Sequence, residues 1–182
     1  MHDTSTRLKR VVVVGTSGAG KTTLARAAAA ALGAAVIELD ALHWGPGWTE
    51  TPDAVMRERL RSALASERWV VDGNYLHLRD LVWPLADTVV WLDYPRHVVM
   101  ARVVWRTLRR SLLREALWSG NRESLARALG PDSVVRWAWD SFDRRRAQCR
   151  ELLLDPAAPP GPRVEHHRTP ADTARWLRGL VR

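Results

Sequence analysis

The sequence predicts an α/β fold built on a parallel sheet, on three observations. Short β-branched apolar runs alternate with helical stretches, a glycine-rich loop joins the first such run to the first helix, and two later runs end in an aspartate, Asp72 and Asp93. Alternation of this kind requires crossover connections, which set consecutive strands parallel and place helices on the sheet faces.

Arg10 to Val14 is β-branched and stops at a glycine, so it reads as a fully buried strand. Lys21 to Leu32 is alanine-rich and free of proline, a helix that Gly33 closes. Ala35 to Leu39 reads as a second buried strand, followed by an aromatic loop with His43, Trp44 and Trp48. Thr51, Pro52 and Asp53 combine a capping side chain, a first-turn proline and an acid near the dipole, which predicts a helix to about Ser66. Trp69 to Val71 and Thr88 to Leu92 are the next strands.

From Pro95 a long helical stretch carries Arg102, Arg106, Arg109 and Arg110 at three- and four-residue spacings, on one face. Ser111 to Gly130 then interrupts the alternation, Pro131 opens a helix to about Leu154, and the proline-rich stretch from Asp155 to Pro162 is a connector. Arg163 to His166 makes a last strand, and Thr169 with Pro170 starts a terminal helix.

Size and composition fit a single domain over residues 1–182: the chain is 46% hydrophobic and 26% charged. Its longest apolar run, Ala27 to Ile37, falls short of the roughly 20 residues a membrane span requires. The basic start is followed by only four valines before Gly15, too few for a secretory signal, so the cytoplasm is the expected compartment. The lone cysteine, Cys149, makes no internal disulfide or multi-cysteine zinc site and reads as structural, and His166 and His167 lack partners at metal-ligand spacing. The net charge of +8 is almost all arginine, since Lys9 and Lys21 are the only lysines. Arginine suits bidentate phosphate contacts, so the surplus fits either a polyphosphate ligand or a nucleic-acid backbone.

The run Gly15, Thr16, Ser17, Gly18, Ala19, Gly20, Lys21, Thr22 fits the pattern G-x-x-x-x-G-K-[ST] in its required strand-to-helix context. Glycines allow backbone N–H groups to turn inward on a β-phosphate, and the helix N-terminus adds partial positive charge. Gly15, Ser17, Gly18, Ala19, Gly20, Lys21, Thr22 and Thr23 are therefore the expected nucleotide contacts, with Lys21 reaching the β- and γ-phosphates. Thr22 supplies a hydroxyl suited to magnesium, ahead of Thr23. The glycine spacing does not fit a dinucleotide fingerprint, and neither lysine follows an asparagine as a guanine-reading motif requires; ATP is the expected nucleotide.

This loop, with Leu39 to Trp44 and Val70 to Tyr75, resembles the adenylate-kinase-related topology modulation proteins, often called FlaR-like. The resemblance runs from about Arg10 to Asp93 and more loosely to Leu154. It implies a P-loop NTPase fold of the nucleoside-monophosphate and shikimate kinase branch, with a five-stranded parallel sheet ordered 2-3-1-4-5 and an arginine-bearing lid that closes over ATP. Asp72 with Gly73 is similar to the pair ending the third strand of adenylate kinases, but Asn74, Tyr75 and Leu76 replace the Phe-Pro-Arg that follows there. Only about 30 residues separate the second and third strands, less than an adenylate kinase uses for its monophosphate lobe.

The expected activity is transfer of the γ-phosphoryl of ATP to a nucleotide, nucleoside or other small hydroxylated acceptor. Lys21, Asp40, Arg106, Arg122 and Arg145 are the candidate catalytic residues. Asp40, at the end of the second strand, is placed to orient or deprotonate the acceptor; Arg106, Arg122 and Arg145 fall in or beside a lid spanning about 106–146. Thr22 and Asp72 are the candidate magnesium residues, with Asp93 the weaker alternative, and His43, Trp44 and Trp48 are candidate walls of an acceptor pocket. The contrasting reading is an ATP-switched regulatory or nucleic-acid-associated protein, motivated by the arginine surplus; a monomer is expected.

Overall fold

The computed structural model describes residues 8–113, 118–120, 133–155 and 161–181. Five parallel strands form one sheet in the order β2-β3-β1-β4-β5. They are β1 (Arg10–Gly15), β2 (Ala35–Glu38), β3 (Trp69–Asp72), β4 (Thr88–Leu92) and β5 (Arg163–His167). The helices are α1 (Lys21–Leu32), α2 (Leu39–His43), α3 (Asp53–Leu64), α4 (Arg79–Val82), α5 (Arg96–Leu113), α6 (Val134–Leu154) and α7 (Pro170–Leu180), with short 3-10 turns between some of them.

The valines of β1 explain why this strand is central. Successive side chains point to opposite faces, so Val11 and Val13 enter one core with Leu24, Ala25 and Ala28 of α1 and Val99 and Val103 of α5. Val12 and Val14 enter the other, with Met56, Leu60 and Leu64 of α3 and Val82 of α4. A strand covered on both faces needs apolar residues at every position, which is how β1 and β4 read. Helix α6 reaches both cores, with Ala138 and Phe142 in the first and Cys149 in the second. The Cys149 thiol is buried, which pushes its pKa up to about 11.

Three local expectations change. β2 ends at Glu38 and the chain turns into α2, so Asp40 sits on a short helix rather than at a strand end. The turn is driven by burial of Leu39, whose side chain packs against the backbone of Gly73. Thr51 does not cap α3: its N–H donates to His43 O at 2.8 Å, closing the preceding loop, while Asp53 pairs with Arg57 one turn on. α6 begins at Val134, with the Ser133 side chain accepting from the Arg136 N–H as its cap. The capping box at Thr169 and Asp172 that starts α7 follows the sequence reading.

Candidate active site

The loop between β1 and α1 is held from three directions. Ala19 N–H donates to Thr16 O at 3.1 Å inside the loop. Arg102 of α5 donates to Ala19 O at 3.0 Å, and Arg106, one turn later, reaches Ser17 Oγ at 3.3 Å. Gly18 is the point of closest approach: its φ is 83°, and a Cβ there would lie 2.3 Å from a methyl of Val103 and 2.9 Å from Val99 O. No side chain fits. On the third side the Asn74 side-chain amide accepts from Gly15 N–H at 2.9 Å and donates to Gly15 O at 2.5 Å. Gly20, with φ 96°, sits at the N-cap of α1 with no side-chain cap, so the helix N-terminus carries its partial positive charge toward the loop.

Lys21 opens α1 with Nζ 3.3 Å from Thr16 O. Burial lowers its pKa, the charges of Asp72 and Asp40 oppose that, and Arg106 and Arg145 add to it. One ammonium thus lies in the field of two carboxylates and two guanidiniums, supplied from four other elements.

Thr22 Oγ1 donates to Asp72 Oδ2 at 2.5 Å, linking the start of α1 to the end of β3. The other carboxylate oxygen, Asp72 Oδ1, is buried and has no hydrogen-bond partner among the described residues. Burial pushes the Asp72 pKa up, Lys21 and Thr22 pull it down, and Asp40 and Glu38 push it up again. An orphaned buried carboxylate oxygen beside a threonine hydroxyl is a hard, oxygen-only donor pair. It fits magnesium, which takes one or two protein oxygens and completes its shell with water and phosphate. No group of three or more His, Cys, Asp or Glu side chains suited to a metal occurs among the described residues.

Asp40 faces this cluster from α2. Tyr75 OH donates to Asp40 Oδ1 at 2.7 Å, with the tyrosine ring packed near His43 and His77. Burial, then the charge of Asp40 and the hydrogen bond to it, raise the tyrosine pKa far above its usual range, so the hydroxyl stays protonated and a donor. Arg145 of α6 stacks 4.8 Å over Trp137. Its Nε is buried without a hydrogen-bond partner among the described residues, and burial lowers its pKa, the charge of Arg144 adding to that. His43, Trp44 and Trp48 pack edge-on against one another, at 4.5 and 5.7 Å between centroids. Beside them a groove of about 440 Å³ is lined by His43, Glu50, Thr51, Pro52, Asp53, Met56 and His77.

Of the sequence-predicted residues, Gly15, Ser17, Gly18, Ala19, Gly20, Lys21 and Thr22 form the loop, and Asp40, Asp72, Arg106 and Arg145 gather around Lys21. Thr23 is exposed. Arg122 lies outside the described residues. Asp93 is not placed as a magnesium residue: Arg146 holds both of its oxygens, at 2.5 and 3.2 Å, and His166 Nε2 lies 2.9 Å from Oδ2. Arg146 is thereby committed to the sheet end, and His166, stacked on Trp91, has a structural partner that spacing along the chain did not reveal. Arg102, Asn74 and Tyr75 are contacts that motif reading did not assign. The visible signal for the last two was the departure from Phe-Pro-Arg directly after Asp72 and Gly73.

A family model described as "ATPase family associated with various cellular activities (AAA)" matches residues 11–71, the stretch from β1 to β3. No curated protein matches the chain in sequence. Among solved structures, a sugar kinase from Janibacter sp. HTCC2649 is 22% identical at a TM-score of 0.50, covering 95% of this chain and 94% of that one. A gluconokinase from Sinorhizobium meliloti 1021 is 21% identical at 0.50, covering 95% and 89%. A shikimate kinase from Acinetobacter baumannii, in complex with shikimate, is 18% identical at 0.53, covering 96% and 92%. At these identities the likeness is one of fold, and the chain has the α/β fold of a P-loop kinase, with its five parallel strands ordered 2-3-1-4-5.

Proposed function

We propose that the protein is an ATP-dependent small-molecule kinase of the adenylate-kinase-related, topology-modulation type, transferring the γ-phosphoryl group to a hydroxylated acceptor. The observation that carries this reading is convergence: Lys21, the Thr22–Asp72 pair, Asp40, Arg106 and Arg145 meet beside the loop where phosphates bind. Ligands of open parallel sheets gather at the carboxyl ends of the strands, and β1 and β3 deliver their groups there.

In this mechanism the loop N–H groups and the α1 N-terminus hold the phosphates of ATP, and Lys21 lies along the β- and γ-phosphates. Asp40 accepts the proton of the acceptor hydroxyl as its oxygen bonds to the γ-phosphorus; the bond from that phosphorus to the bridging oxygen breaks, and ADP leaves. Lys21, Arg106 and Arg145 face the charge that spreads over the transferring group, which in such sites supplies much of the rate. Thr22 and Asp72 would hold magnesium, whose chemistry is to neutralise phosphate charge.

The lid in this reading is the region of about 106–146, which carries Arg106 on α5 and Arg145 on α6. Supporting this, Ser119 donates to Trp44 O at 2.8 Å, so the described part of that segment touches the aromatic loop beside the acceptor groove. Beside that groove Arg57 is engaged by Asp53 and Asp80 and by His77 O, and the groove itself offers the carboxylates of Glu50 and Asp53 and the imidazoles of His43 and His77 to the acceptor. A nucleic-acid role draws on the arginine surplus. Against it, Arg57, Arg102 and Arg146 are engaged in contacts within the protein. No described helix is long and apolar enough to cross a membrane, and a cytoplasmic monomer is the setting this reading assumes.

The test follows ADP formation from magnesium-ATP across nucleoside monophosphates, nucleosides, sugars and other hydroxylated metabolites, with Lys21→Ala as control. Acceptor-stimulated turnover is expected, reduced at least about 100-fold in the variant while its thermal unfolding stays cooperative. Turnover that survives the substitution sinks the mechanism.

A further inference from the structure

The geometry points to Asn74 as a positioning residue for the nucleotide loop, its side-chain amide standing in for a peptide unit that β3 does not supply to Gly15. The inference rests on the nucleotide-binding half of the proposed function and not on the identity of the acceptor.

The argument starts from sheet register. β1 and β3 pair from Arg10 opposite Trp69 to Val13 opposite Asp72. Gly73 N–H still donates to Val13 O, at 3.3 Å, and there the pairing ends, because Gly73 takes φ 142° and turns the chain away. On its other side β1 runs two residues further, with Gly15 opposite Leu92 of β4. Gly15 therefore faces the β3 side with one N–H and one C=O and no strand opposite. Backbone groups left unpaired in a partly buried setting are costly.

Asn74 fills that gap. An asparagine amide has one carbonyl acceptor and an NH₂ donor, the same pair a peptide presents. Its Oδ1 accepts from Gly15 N–H at 2.9 Å and its Nδ2 donates to Gly15 O at 2.5 Å, a closed two-bond ring. The amide is itself held in place, since the preceding Gly73 lies so close to Leu39 that a Cβ would stand 3.0 Å from Leu39 Cβ.

Orientation is what the ring controls. Gly15 is the last residue of β1 and the first of the loop, and its φ of 150° starts the turn. The next carbonyl, Thr16 O, accepts from both Ala19 N–H and Lys21 Nζ. A tilt of the Gly15 peptide moves Thr16, and with it both groups that close the phosphate cradle. α5 braces the far side of the loop through Ala19 and Ser17, whereas the described bonds to the N–H and C=O that Gly15 turns to the β3 side come from Asn74.

The experiment measures ADP and tripolyphosphate affinity calorimetrically on the full chain, without acceptor, for the wild type, Asn74→Ala and Asp93→Asn. Asn74→Ala is expected to lower both affinities about tenfold, the cost of freeing one buried polar contact. A similar loss for tripolyphosphate, which lacks a base, locates the effect in the cradle. Asp93→Asn, which loosens the fold away from the loop, is expected to leave both within about twofold. Asn74→Ser, too short to bridge both groups of Gly15, carries the same expectation where the alanine variant does not fold. ADP affinity within about twofold of wild type in the Asn74 variant overturns the proposal, as does an equal loss in Asp93→Asn. A wild type that binds ADP but phosphorylates no acceptor defeats the kinase reading alone and leaves this comparison decisive; a wild type that does not bind ADP overturns both.

Discussion

Asp72 and Asp93 lie at the carboxyl ends of β3 and β4, the two strands that flank β1, and both are buried. Their surroundings are opposite. Asp93 has both oxygens satisfied, by Arg146 and His166, and its N–H donates to His167 O. Asp72 has one oxygen on Thr22 and the other with no hydrogen-bond partner among the described residues, under a pKa that burial raises. A saturated carboxylate holds a fold together, whereas a carboxylate left short of partners has capacity for a ligand. Equivalent strand ends take different roles because different groups meet them: Thr22 of α1 at the end of β3, and Arg146 of α6 with His166 of β5 at the end of β4.

The largest expected effect of breaking this comparison is on turnover. Asp72→Asn should reduce phosphoryl transfer by about 100-fold or more, since it removes the charge facing the proposed magnesium position. It should leave stability unchanged or raised. The sign follows from linkage: a carboxyl whose folded pKa lies above its unfolded one costs stability at neutral pH, and the neutral amide removes that cost. ADP formation and thermal unfolding at neutral pH check both halves.

Arg146→Met should do the reverse. It leaves the buried Asp93 carboxyl with His166 as its remaining side-chain partner among the described residues. The loss should be roughly 2 kcal/mol, below the 3–5 typical of a broken buried pair because Arg146 itself is half exposed. That corresponds to an unfolding temperature lower by about 4 to 8 °C for a chain of this size, with transfer at a permissive temperature within about threefold of wild type.

The smallest effect sharpens the Asp93 side further. His167, whose carbonyl accepts from Asp93, has its imidazole buried against Trp176 with Nδ1 3.0 Å from Thr173 Oγ1. Burial lowers its pKa, with His166 adding to that and Asp172 opposing. Its neutral form is therefore favoured by folding, so the associated stability is present above the unfolded value of about 6.5 and is lost as pH falls below it. A urea midpoint that falls between about pH 7.5 and 5.5 in the wild type should fall less in His167→Gln; equal slopes would remove His167 from the account.

The arrangement of the nucleotide half was readable because local rules and tertiary structure agree there. β1, α1 and β4 require only local pattern, and the loop from Gly15 to Thr22 is a contiguous motif whose chemistry is written in its own backbone. The half around Asp40 and Thr51 was harder to read. Asp40 moved from a strand end to a helix because burial of Leu39 against Gly73, distant in sequence, turned the chain early. Thr51 had capping chemistry but was drawn instead to His43 O. Which arginine of the Arg144, Arg145 and Arg146 run serves which purpose depends on helix phase: Arg145 faces Trp137 and Arg146 faces Asp93.

By itself, the sequence determined a parallel α/β fold and a glycine-rich loop between β1 and α1, since strand burial, helix propensity and a glycine-lysine-threonine spacing act over a few residues at a time. Tertiary structure alone decided which strand-end aspartate keeps an oxygen in reserve, which arginines grip the loop, and that Asn74 completes the edge of β1. Each of these is a contact between groups 50 or more residues apart. Such pairings are selected by sheet order and helix crossing, and no local pattern in the chain encodes them.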